Sequence, residues 1–441
     1  MSRANVPDRV LKQSQACLVD SIACGLFGAK QPWGEMMTAN TLAESAPGPC
    51  TLLGRPETIA PAPAALVNGT AIHGFELDDL IVGAVVHPGA VVVPAALAAA
   101  EYTDASGLQM LLGVVAGYEA MARVSLALGA EPSQRGFHMT PVVGPIGAAF
   151  AAGVTMGLTP DKLLAAIGLA CSASSGIKSF AGGSGGGMVK RMHAGRSAEA
   201  GVRMCQLADR GFTGPRAALD GRFGLLEVFG GKTANAGRLT EELGTRWATD
   251  DVWVKVYPMC AGIHSAVQLL QQMRGGAALK AEEIQRVRIG VSQFAARNNG
   301  EPAPLDTMGA QYSIPYCAAV ALLADPKDPA MFSDRAIVDP AIRDLARRIT
   351  LFVDEQAEAA YPSRLGARVE LHLRSGEVRT SAAFDAHGTP ADPCSDAERS
   401  ERFRKLSSAA VPSAVADGIL DAASRLDELS SVRAFSRALR G

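Results

Sequence analysis

Seven histidines are spread over 441 residues, and five stand in polar, glycine- or proline-marked surroundings. His73 opens HGFELDD, His87 opens HPGA, His138 lies in RGFHMTP, His193 in VKRMHAGR and His264 in YPMCAGIH. Taken singly, each reads as well as a satisfied core or helix-capping residue. Taken together they mark a site, because imidazoles titrate near neutrality and gather where protons are moved. HGFELDD adds Glu76, Asp78 and Asp79. On a helix, Glu76 and Asp79 would share a face, and one of them could hold its proton near neutrality and pass it to a substrate. Helix capping or a solvated face also accounts for these acids, and chelation of a metal is the weaker alternative.

Positive charge collects in a second stretch. Ala181–Gly187 (AGGSGGG) precedes MVKRMHAGR, which carries Lys190, Arg191 and Arg196, with His193 three residues after Lys190. A nucleotide-binding P-loop is excluded, since Arg191 follows the lysine where Ser or Thr is needed. Glycine-rich turns expose backbone N–H groups to anions, so an anionic substrate fits this stretch, and a flexible loop with solvated bases is the alternative. In VKVYPMCAGIHSA, Lys255 precedes Tyr257-Pro258, and Cys260 and His264 are four residues apart, on one face if a helix starts there. A Cys–His nucleophile pair would need a third, orienting group. A substrate-lining turn at the domain junction is the preferred reading.

These residues need a scaffold. Leu11–Ala29 has apolar residues near helical spacing, and the Ala-rich runs PAALAAAEY, GAAFAAGVTMGL and LLAAIGLACSASSG suit close helix–helix contact. Thr159-Pro160 is a helix start. After about Asp250 the pattern changes. Arg286–Val291 and Arg368–Leu373 alternate as strands do, and the second turns at Ser375-Gly376 into Glu377–Phe384 as a hairpin. Ser313–Ala324 and Asp339–Arg348 read as helices between them. Asp385–Ser395 is a Pro/Gly/Asp-rich connector, and helix returns from Asp396. The expected fold is mainly α with an inserted α+β domain: a helical domain over 1–250, completed by 396–441, and a smaller α+β domain over 251–395.

Composition sets outer bounds. With 42 Lys+Arg against 44 Asp+Glu the formal charge is −2, which recruits neither nucleic acid nor an acidic membrane surface. Ile81–Ala100 and Gly136–Pro160 lack charge and are each long enough, at about 20 residues or more, for a membrane span. Their histidines and prolines, with a mean hydropathy of only +0.13, favour buried helices. Asp20 breaks the apolar run near the N-terminus, so no signal peptide is expected and the expected location is cytoplasmic. Eight cysteines form no C-x-x-C pair, and neither a metal nor a nucleotide motif is found.

HGFELDD…HPGAVVVPAALA, GFHMTPVVGPIGAA, KRMHAGRSAEAGV…LADRGFTGP, VYPMCAGIH and QYSIPYCAAVALL occur in the order found in the MmgE/PrpD family, which the chain resembles over essentially its whole length. The resemblance implies a homodimer with a polar cleft under a lid-like domain. It also implies cofactor-independent chemistry next to a carboxylate of a small polycarboxylate. By motif it implies catalytic roles for Glu76, His87, His138, Lys190 and Lys255. Asp79, Arg191, His193, Cys260, His264 and Tyr316 complete the expected substrate contacts. Departures are present: Glu76 stands where decarboxylase-like members carry Asp, Leu80 and Ile81 replace polar residues, Cys260 replaces a His, and Gln311 stands where a base is common. They rank decarboxylation last. A dehydratase of a hydroxy di- or tricarboxylate leads, and an epimerase of an imino- or amino-polycarboxylate follows. A non-catalytic binding protein comes third, opposed by the two lysines and the histidine group.

Overall fold

A computed structural model describes residues 1–181 and 186–441. The chain is mainly helical with a small mixed sheet, and it divides into two compact units. The first comprises Met1–Ile177, Arg191–Trp253 and Ser395–Gly441; the second comprises Lys178–Lys190 and Val254–Cys394. Lys178–Lys190 thus clusters with the second unit, although its sequence position falls within the stretch read as helical domain.

In the first unit the leading helices are α1 (Asp8–Gly28), α2 (Pro32–Glu44), α3 (Pro61–His73), α4 (Gly89–Thr103) and α5 (Gly107–Leu128). They are followed by α6 (Met139–Thr155), α7 (Pro160–Cys171) and α8 (Val189–Asp209), whose residues from Arg191 onward belong here. Local chemistry sets the ends. Pro61 and Pro160 occupy first-turn positions where a missing N–H is harmless, and Ser106 caps α5 by accepting from Gln109 N. Helix α5 is apolar and long enough to cross a membrane, but most of it is buried among its neighbours, packing most extensively on α6. It is the core helix of this unit. Helices α3 and α8 approach so closely at Gly69 and Gly195 that a Cβ on Gly195 would lie 2.3 Å from Leu66 O and 2.9 Å from Thr70 N. Arg191 of α8 donates to Gly74 O, next to His73 at the end of α3.

The C-terminal segment lies within this unit, with a helix over Asp396–Ser407 packed on α1. Its Arg402 donates to Asp20 Oδ1 and to Leu77 O, both at 2.7 Å, and so braces the HGFELDD segment from over 300 residues away in sequence.

The second unit carries a four-stranded sheet. Strands β1 (Ile284–Val291), β2 (Ile349–Val353), β3 (Ala367–Leu373) and β4 (Val378–Ala383) run in the order β2-β1-β3-β4. Strand β2 is parallel to β1, and the other pairs are antiparallel. Strand β3 alternates buried and half-buried residues along its length, with one face packed on the helix His264–Arg274. The helix Ile314–Leu323 is buried almost throughout and packs beside it.

Candidate functional site

The end of α3 starts the site. His73 is its last residue, and the chain leaves the helix at Gly74 to run as a loop to Asp79. The expected helical face shared by Glu76 and Asp79 is therefore not formed. Instead Glu76 takes a left-handed backbone conformation (φ 56°) while 1% exposed. Such a conformation costs a non-glycine residue about 1–3 kcal/mol and persists only where the surroundings impose it. Phe75 is held between Phe27, edge-on at 5.0 Å, and Trp33, stacked at 5.8 Å. The Arg191 guanidinium lies 3.7 Å from the Trp33 ring and donates to Gly74 O, so this residue, expected to meet substrate, holds the loop in place.

The loop brings Asp78 back onto His73. His73 Nδ1 donates to Asp78 Oδ2 at 2.6 Å, and His87 Nδ1 lies 3.4 Å from the same oxygen. Burial pushes the Asp78 carboxyl up, but the adjoining His73 and His87 charges and hydrogen bonds outweigh it and hold the group well below the usual carboxylate range. His87 Nδ1 is also 2.9 Å from Asp79 O; a carbonyl only accepts, so Nδ1 carries a proton. His138, at the start of α6, stacks on His73 at 5.8 Å, and its Nδ1 lies 3.0 Å from His193 Nδ1. One of these two nitrogens donates and the other accepts. Four of the chain's seven histidines therefore form one connected group with a buried carboxylate. Among them the His87 side chain keeps 13% exposure, whereas that of His73 keeps none.

Asp79 was expected to contact substrate, but it is 1% exposed, and both carboxylate oxygens serve the protein: Oδ1 accepts from Gly89 N at 2.9 Å and Oδ2 from Tyr118 OH at 2.6 Å. Burial raises its pKa to about 7 against the lowering effect of those two hydrogen bonds. His73, Asp78 and His87 are the one group among the described residues whose ligand-type atoms lie close enough, within 4.8 Å, to consider a metal. The 2.6 Å His73–Asp78 contact is a hydrogen bond, tighter than two ligands at about 2.0–2.1 Å from one ion would allow. The group fits an ion pair better than a metal cage.

In the second unit, Lys190 and Lys255 are each 1% exposed, unusual for lysine. The Lys190 ammonium lies 5.5 Å from the Tyr312 ring centre and 6.0 Å from that of Phe180. Cys260 N donates to Gln311 O at 2.9 Å, and Gln311 Nε2 donates to Pro258 O at 3.0 Å, tying the YPMC turn to the QYSIPYC segment. The helix here begins only at His264, so Cys260 and His264 do not share a helical face. His264 is buried and donates from Nε2 to Met259 O at 3.3 Å. Tyr316, expected to touch substrate, is buried with its hydroxyl donating to Met331 O. Lys178, which the motifs did not single out, lies 4.9 Å from the Phe294 ring, and burial lowers its pKa. The glycine-rich stretch falls largely on residues 182–185, outside those described, while Gly187 N donates to Asp306 Oδ2 at 3.0 Å.

Residues 1–236 match the MmgE/PrpD N-terminal domain and residues 257–428 the MmgE/PrpD C-terminal domain. The chain belongs to the MmgE/PrpD family. Among its relatives, a cis-aconitate decarboxylase of Aspergillus terreus is 27% identical over 450 residues, covering 97% of this chain and 91% of that one. A cis-aconitate decarboxylase-like protein of Aspergillus oryzae is 31% identical over 438 residues, covering 93% and 89%. A 2-methylcitrate dehydratase of Salmonella typhimurium is 23% identical over 364 residues, covering 78% and 74%. Within the MmgE/PrpD motifs, His73 and Asp78 were visible as residue types, but nothing in their spacing marked them as partners. Tyr118 was hidden in the apolar helix α5, where nothing in the sequence set its hydroxyl apart.

Proposed function

We propose that this MmgE/PrpD chain is a lyase that acts on a small di- or tricarboxylate by moving a proton at the carbon next to a carboxylate, with water as the leaving group. The linked group of His73, Asp78, His87, His138 and His193 carries the reading. Dehydration needs a base for the carbon-bound proton and an acid for the departing hydroxyl. His87, protonated on Nδ1, is the imidazole proposed for one of these transfers. The His138–His193 pair, sharing one proton between two nitrogens, and the strained Glu76 are the groups for the other. As the C–H and C–O bonds break, a C=C bond forms and water leaves with both fragments. Lys190 and Lys255 have the charge to hold carboxylates and to stabilise enolate-like charge, and that is the role proposed for them.

A second reading is favoured by the names of the two Aspergillus relatives, each matched over about nine-tenths of its length. In it the C–CO2 bond breaks, CO2 departs, and the same imidazoles protonate the carbon left behind. Both readings make a lyase, and an epimerase would use the same proton transfer without net elimination. The test is incubation of the purified protein, with and without EDTA, with a panel of hydroxy-, unsaturated and amino-polycarboxylates, following products by NMR and released CO2. The expected result is an unsaturated acid formed without CO2, unchanged by EDTA. Stoichiometric CO2 would replace dehydration by decarboxylation, inversion alone would mean an epimerase, and loss of activity in EDTA would contradict metal-free chemistry.

A further inference from the structure

The Asp79 carboxylate and the Tyr118 hydroxyl form a buried pair, and both ends of the His87 turn are tied to Asp79. The chain leaves Asp79, makes the Leu80–Ile81 strand and the turn to Val86, and returns through His87 and Pro88 to Gly89 at the start of α4. Asp79 O receives the His87 Nδ1 proton at 2.9 Å, and Asp79 Oδ1 receives Gly89 N–H at 2.9 Å. The side chain of one residue thus closes the loop whose main chain sets the imidazole. Tyr118, from the middle of α5 and fully buried, fixes the second carboxylate oxygen at 2.6 Å. The fit leaves no slack: a Cβ on Gly89 would lie 2.8 Å from Asp79 Oδ1 and 2.9 Å from Tyr118 OH. Cys17, Asp20 and Ser21 of α1 and Asp78 complete the polar and titratable surroundings. Val85, half exposed in the same turn, takes φ 55°, a conformation β-branched residues avoid, so the loop is held against its local preference.

We infer that Tyr118 and Asp79 are positioning residues that hold the His87 loop closed and so fix the orientation of the His87 imidazole with a proton on Nδ1. The inference rests on the lyase reading for its effect on turnover, but not for its effect on the imidazole. A neutral imidazole in water divides its proton between the two nitrogens; the carbonyl of Asp79 removes that choice only while the loop is in register. Tyr118→Phe deletes the hydroxyl and keeps the ring in its core site. Asp79→Asn keeps an acceptor for Gly89 N–H and can donate its amide to the tyrosine oxygen. Asp79→Ala keeps neither.

The test is 15N NMR of imidazole-labelled protein without substrate, with His87 assigned by His87→Gln, alongside kcat/KM against pH. In the wild type, His87 should show the Nδ1–H form. In Tyr118→Phe and Asp79→Ala the Nε2–H form should become populated, the pH profile should shift, and kcat/KM should fall at least ten-fold, while Asp79→Asn keeps the wild-type nitrogen pattern. If Asp79→Ala does not fold, Tyr118→Phe alone decides. A lowered Tm with unchanged His87 nitrogens in Tyr118→Phe would overturn the inference, since it would make the pair only a core contact. A changed tautomer in a protein that turns over no polycarboxylate would uphold the positioning and remove the lyase reading instead.

Discussion

At the scale of single residues, two buried acids of one heptapeptide behave in opposite ways. Asp78 is held ionised by two imidazoles, whereas Asp79 has neutral hydrogen-bond donors and a raised pKa of about 7. The raised value has a stability consequence of definite sign. Between the ordinary 3.8 and about 7 the folded chain holds a proton on Asp79 that the unfolded chain has lost. Stability from this group is complete below about pH 3.8 and disappears as pH rises to 7, a loss of up to about 4 kcal/mol. Asp79→Asn removes the titration, so its stability relative to wild type should rise between pH 4 and pH 8 in denaturant unfolding. A constant difference would show that Asp79 ionises normally. Glu76 makes a second case. Glu76→Gly releases the left-handed strain and removes the carboxylate. Its unfolding free energy should stay within about 1 kcal/mol of wild type, while turnover falls at least 100-fold. A large stability loss with retained turnover would make Glu76 a structural anchor.

Elements explain why the imidazoles meet. Helix α3 delivers His73, the start of α6 delivers His138, and α8 delivers His193, and the closest approach of α3 and α8 is at Gly69 and Gly195. Gly195→Val would drive a branched side chain into Leu66 O and Thr70 N, backbone atoms that cannot rotate away. The expected cost is about 1–3 kcal/mol or more, read as a lowered Tm, with the His138–His193 contact disturbed in NMR. An unchanged Tm would mean the helices have room to separate. The small-residue runs announced this close packing in the sequence, and the strands Arg286–Val291 and Arg368–Leu373 were visible from alternation. The edge strand Ile349–Val353 was not, because five residues following a helix declare themselves only by pairing with β1. The 74–79 loop was also illegible: helical spacing described its acids well, but the packing of Phe75 on Trp33 and the reach of Arg402 to Leu77 O override it. For the same reason the His73–Asp78 pair, five residues apart, had no signature of its own.

Across the whole molecule, each unit contributes a different chemical resource. The first gathers imidazoles and carboxylates suited to proton transfer; the second buries Lys190 and Lys255, whose charge suits carboxylate recognition. Proton transfer by the imidazole group is the central claim of the lyase reading. The most direct measurement of that claim is solvent exchange. A polycarboxylate found to turn over is incubated in D2O with wild-type protein and with His87→Gln, and deuterium at the carbon next to the carboxylate is followed by NMR. The account predicts that wild-type protein places deuterium at that carbon, in recovered substrate or in product, and that His87→Gln, folded with wild-type Tm, does so at least 100-fold more slowly. Exchange at the wild-type rate in His87→Gln would contradict it, because the carbon-bound proton would then be moved without the imidazole group.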